Sequence, residues 1–105
     1  MSDTKWTPGP WVAEADVGNV FHVDSEVDPW KSVASCRANR LGAAEVTPTE
    51  AEANANLIAA APDLFRELVH LVAAIEPLER EGGIPIPGLA TLNGARAALA
   101  KAKGE

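Results

Sequence analysis

The stretch Thr47-Pro48-Thr49-Glu50-Ala51-Glu52-Ala53-Asn54-Ala55-Asn56-Leu57-Ile58-Ala59-Ala60-Ala61-Pro62-Asp63-Leu64 decides how this chain is organised. Thr47 can accept a hydrogen bond from a backbone N–H of the first turn. Pro48 has its φ already set for a first helical position, and Glu50 completes a capping box. A helix is therefore predicted from Pro48 to about Ala61. Pro62 cannot continue it, because a proline in a helix interior has no N–H to donate, but it can open a second helix.

Downstream of Pro62, Leu64, Leu68, Leu71, Ile75 and Leu78 recur at 4-3-4-3 spacing, and Phe65, Val69 and Val72 widen the same face. This predicts a helix to about Arg80. The stripe is wide for one neighbour in a small domain. Most of it is expected to pack on the sheet, and the excess either fills the domain core or suits a helix-to-helix homo-oligomer contact. Glu81-Gly82-Gly83 reads as a stop and Ile84-Pro85-Ile86-Pro87-Gly88 as a rigid linker. A third helix is predicted over Leu89–Lys103, with Leu92 and Leu99 on one side.

Upstream of Thr47 the periodicity changes from helical to alternating. Trp6-Thr7-Pro8-Gly9-Pro10-Trp11 is a stiff turn, because two prolines around a glycine forbid a helix or a central strand. Trp11–Ala15 and Val20–Val23 read as strands joined by a turn at Asp16–Asn19, giving a hairpin. Lys31–Cys36 is a third candidate strand, and Arg37–Gly42 reads as a loop. The prediction is an α+β fold: an N-terminal antiparallel sheet or hairpin of about three strands, followed by two or three C-terminal helices. A single domain over 1–105 is expected, β-rich in 1–46 and helical in 47–105.

Composition narrows the function classes. Fifteen acidic residues against nine basic ones give a net charge of −6, which opposes attraction to nucleic acid or to an anionic membrane. Cys36 is the only cysteine, so neither an intrachain disulfide nor a cysteine-based zinc site is expected. The N-terminal residues have no apolar run like that of a signal peptide, and no stretch is long enough to span a bilayer. The expected compartment is the cytoplasm.

The chemistry-bearing residues do not form a catalytic pattern. His22 and His70 are the only histidines. His70 falls on the polar face of the second helix beside Arg66 and Glu67, and His22 is expected to point outward from its strand. No metal-ligand spacing and no nucleophile–base motif is present. A non-enzymatic protein without a cofactor is expected.

Helical spacing places two polar residues on apolar stripes. Asn54 shares a stripe with Leu57, Ile58 and Ala61, and Arg96 lies between Leu92 and Leu99. A buried amide or guanidinium needs hydrogen-bond partners. Those partners are either structural groups or an anionic ligand, for which the forked guanidinium of Arg96 is the better suited. Arg37 and Arg40 flank Asn39 and could contact an anion, with surface solvation as the alternative. Trp30 sits on a loop, where it either packs in the core or an interface or forms an exposed stacking platform. Trp11 is expected in the core and Trp6 as a lid over the helices.

Three blocks carry a resemblance. They are Trp6-Thr7-Pro8-Gly9-Pro10-Trp11, Ala53-Asn54-Ala55-Asn56-Leu57-Ile58-Ala59-Ala60-Ala61-Pro62-Asp63-Leu64, and Ala95-Arg96-Ala97-Ala98-Leu99-Ala100-Lys101-Ala102. On these the chain resembles a widespread group of small phage and prophage proteins. It is also similar to the Thoeris anti-defence sponge proteins. That resemblance implies an N-terminal antiparallel sheet, C-terminal helices, homo-oligomeric assembly and capture of a cyclic nucleotide or ADP-ribose-derived signal without cleavage. It carries no ligand-contacting residue over to this chain. The alternatives are a protein–protein inhibitor of a host defence complex, anti-CRISPR-like in action, and a small phage assembly protein without a ligand.

Overall fold

The computed structural model describes residues 5–28, 30–41 and 44–105, apart from the side chains of Arg40, Leu41 and Ala44. The architecture is α+β, with a three-stranded antiparallel sheet preceding three helices. The chain forms two compact units, Trp6–Asp63 and Leu64–Glu105, and each is described in its own right.

In the first unit the strands are β1 (Trp11–Asp16), β2 (Val20–Ser25) and β3 (Ser32–Arg37), in the order β1-β2-β3. The expected hairpin is present, with Ala13 opposite Val23 and Glu14 opposite His22. Its turn is a short 3-10 segment in which Gly18 and Asn19 both take positive φ, as tight reversals require. Strand alternation puts Trp11, Ala13, Phe21, Val23, Ser25, Ala34 and Cys36 on one face. Helix α1 (Pro48–Ala59) covers that face. Val23 is fully buried, as are Ala51 and Ala55 of the helix. Thr47 Oγ1 accepts the Glu50 N–H at 3.1 Å, so the cap forms as expected.

Three readings need correction in this unit. Arg37–Gly42 is not simply a loop: β4 (Asn39–Leu41) pairs antiparallel with β5 (Ala44–Val46) as a separate two-stranded sheet, while Gly42 lies outside the described residues. Three-residue strands are too short to display an alternation. Asn54 is exposed, and so is Leu57; the buried stripe is Ala51 and Ala55. Small side chains let a helix approach a sheet closely, and here that favours the methyl-sized positions over the leucine. Trp11 is half-buried rather than core, its indole N–H donating to the Thr7 carbonyl at 3.0 Å.

Helix α2 (Ala61–Arg80) continues into the second unit, where α3 (Ile86–Ala102) completes it. The predicted Ile-Pro-Ile-Pro-Gly linker is shorter than expected. Pro85 is the N-cap of α3, and Pro87 falls in its first turn, where a missing N–H costs nothing. The buried line of α2 is also rotated from the one spacing suggested. Val72 is buried and Phe65, Leu68 and Ile75 are half-buried, whereas Leu64, Leu71 and Leu78 are exposed. Among the described residues, no helix is long and apolar enough to cross a membrane.

Candidate functional site

Arg96 is a clamp inside the second unit. Its Nη2 donates to Glu79 Oε1 at 2.7 Å and to Glu76 Oε2 at 3.1 Å, while Nη1 donates to Glu79 Oε2 and Asn93 Oδ1, both at 3.2 Å. Glu79 is therefore gripped by both arms of the fork, the geometry guanidinium and carboxylate favour. The pair polarises itself accordingly. Hydrogen bonding from Arg96 holds the Glu79 carboxyl below the usual carboxylate range, and the two carboxylates raise the guanidinium still further. The partner demanded by an arginine on an apolar stripe is thus a pair of acids, Glu76 and Glu79, near the C-terminal end of α2.

The other predicted ligand residues lie in the first unit. Asn54 is exposed on α1. Arg37 is exposed at the end of β3, opposite Val20 of β2. Arg40 pairs in register with Glu45, and its side chain lies outside the described residues. Trp30 stands 95% exposed in the β2–β3 turn. His70 is exposed on α2, as expected.

The open face of the sheet carries an arrangement that spacing did not reveal. His22 Nε2 lies 3.0 Å from Asp16 Oδ2, and His22 Nδ1 lies 2.9 Å from Ser35 Oγ. A carboxylate only accepts, so in the neutral ring the proton sits on Nε2 and the Ser35 hydroxyl donates to Nδ1. Asp16 Oδ1 also accepts the Val17 N–H at 2.7 Å. That backbone bond first, and His22 second, keep the Asp16 carboxyl below its usual range. Register could have disclosed part of this: once β2 pairs with both neighbours, His22 faces Ser35 directly.

Serine, histidine and aspartate side by side do not by themselves make a nucleophilic site. Acyl transfer also needs donors converging where the oxyanion forms. Backbone N–H groups of a sheet lie in its plane, pointed at neighbouring strands, so an open sheet face offers none. The string ties three strands together across their outer surface. Among the described residues, no group of three or more His, Cys, Asp or Glu side chains could hold a metal ion.

Fold and side-chain geometry together define a small α+β protein in which the half-buried guanidinium of Arg96 is held by acids of α2. The sequence profile of the family described as Salmonella phage P22 protein Y8K6 matches residues 1–105, and the chain belongs to that phage protein family. No curated protein and no solved structure matches the chain.

Proposed function

We propose that this phage protein is a non-catalytic, homo-oligomeric binding protein that acts in the host cytoplasm by docking onto other proteins. One observation carries the reading: Leu64, Leu71 and Leu78 recur every seven residues along α2 and are about half exposed, at 56%, 56% and 50%. Seven-residue recurrence keeps apolar side chains on one seam of a helix, the pattern that pairs helices with one another. A single exposed leucine needs no explanation, but three in register on one helix favour a partner helix. A second copy of α2 offers the same repeat. Inhibition of a host defence complex is the activity that the net charge of −6 supports, since an acidic surface suits a basic target.

The test is the mass in solution by size exclusion with light scattering. The wild type is expected as an oligomer, and Leu71→Glu as a monomer with unchanged helix content, since residue 71 is exposed. A wild-type protein that is monomeric at high micromolar concentration removes the reading.

Capture of a cyclic nucleotide or ADP-ribose-derived signal is the second reading, supported by the resemblance to anti-defence sponges. Its strongest anchor, Arg96, would have to exchange Glu79 for a phosphate. Thermal shift against cyclic dinucleotides, cyclic trinucleotides and cyclic ADP-ribose isomers tests it, because a ligand bound only to the native state raises its stability. A melting temperature unmoved by every one of them excludes capture.

A further inference from the structure

The turn joining β2 to β3 projects its apolar residues away from the fold, yet its backbone is tied down. Ser25, 1% exposed, accepts the Asp28 N–H through its Oγ at 3.1 Å. Asp28 Oδ1 accepts the Trp30 N–H at 3.3 Å, and the Asp28 carbonyl accepts the Lys31 N–H at 2.9 Å. The Ser25 N–H donates to the Lys31 carbonyl at 3.0 Å, closing the turn, and the Glu26 N–H donates to the Pro10 carbonyl at 2.9 Å, anchoring it to the chain before β1. A turn pinned at five points has already lost the entropy that a floppy loop would lose on binding. On it stand Trp30 at 95% exposure and Val27 at 69%.

We infer that this turn is a protein-docking tip whose Trp30 and Val27 pack against an apolar segment of a partner protein that is flanked by Lys or Arg side chains. Tryptophan is the residue type most often found to dominate protein interfaces, because one rigid side chain buries a large area. The charges beside it set the partner's sign. Glu26 and Asp28 flank Val27 in the chain and Asp24 closely precedes them, against the single cation Lys31 in this stretch. An acidic rim steers and orients a basic partner. The same carboxylates repel phosphate, which argues against Trp30 as a stacking platform for a nucleotide. This tip belongs to a different element from the α2 seam, so its test is separate.

The experiment is selection from a displayed library of random peptides, run in parallel on the wild type and on Trp30→Ser, whose fold and oligomeric mass are checked first. The expected winners combine a large apolar residue with flanking Lys or Arg. They bind the wild type and Trp30→Phe alike, lose about tenfold or more in affinity on Trp30→Ser, and weaken on Glu26→Lys. Three results overturn the inference: no peptide enriched on the wild type over Trp30→Ser, winners without basic residues, or a changed oligomeric mass for Trp30→Ser. The last would make a second copy the occupant of the tip.

Discussion

Gly9 packs directly against Pro62: a Cβ built on Gly9 would lie 2.8 Å from Pro62 Cβ and 3.1 Å from its Cγ. The Trp-Thr-Pro-Gly-Pro-Trp turn and the Ala-Pro-Asp-Leu helix start, far apart in sequence, therefore meet face to face, and glycine is the residue that lets them. Both neighbours are stiff, since the contacting atoms belong to a proline ring. Gly9→Ala is expected to destabilise by about 1–3 kcal/mol through overpacking. Pairing it with Pro62→Ala should restore part of that loss. Urea unfolding of both single variants and the double variant measures the coupling; strictly additive losses would contradict the contact.

The alanines of α1 set a second contrast. Ala51→Leu and Ala55→Leu are each expected to cost about 1–3 kcal/mol, because both positions are fully buried against the sheet. Ala53→Leu, on the exposed side, should stay within about 0.5 kcal/mol of the wild type. Chemical denaturation distinguishes the two classes.

The cap of the same helix gives a smaller effect. Thr47→Ala removes the acceptor for the Glu50 N–H and should cost about 1 kcal/mol, whereas Thr47→Ser should be close to neutral.

The Arg96 clamp makes stability depend on acid. Glu79 titrates below its ordinary value in the folded protein because Arg96 donates to it. The contribution is therefore complete above the ordinary glutamate range and fades as pH falls through the lower folded value. Melting temperature should decline between pH 5 and pH 3 more steeply for the wild type than for Arg96→Met. Arg96→Lys should recover only part of the slope, since an ammonium cannot grip both carboxylate oxygens in the plane of a fork. Parallel slopes for all three proteins would show that the clamp contributes nothing. Asp16 adds to the same acid loss through Val17 and His22, and Asp16→Asn isolates its share.

Much of this architecture was legible from local signals. Thr47, Pro48 and Glu50 place the start of α1, Pro62 separates it from α2, and alternation around Ala13 and Val23 gives the hairpin. The errors occur where two helical faces competed. Spacing alone permits a stripe through Asn54, Leu57 and Ile58 or one through Ala51 and Ala55, and hydrophobicity favours the first. Packing chose the second, because the sheet admits a methyl more closely than an isobutyl group. A place on an apolar stripe implies a partner for Arg96, and Glu76 and Glu79 supply it, but they are 20 and 17 residues away and no local pattern joins them. The His22 string was hidden for the same reason: Ser35 becomes its neighbour only through strand pairing.

The alanine contact between α1 and the sheet has one consequence for recognition. Methyl groups at Ala51 and Ala55 and the side chain of Val23 are fully buried where the helix covers the sheet, so the two layers are shut at these three positions. Recognition by the first unit is therefore expected on its turns and outer surfaces, where substitutions leave this interior undisturbed.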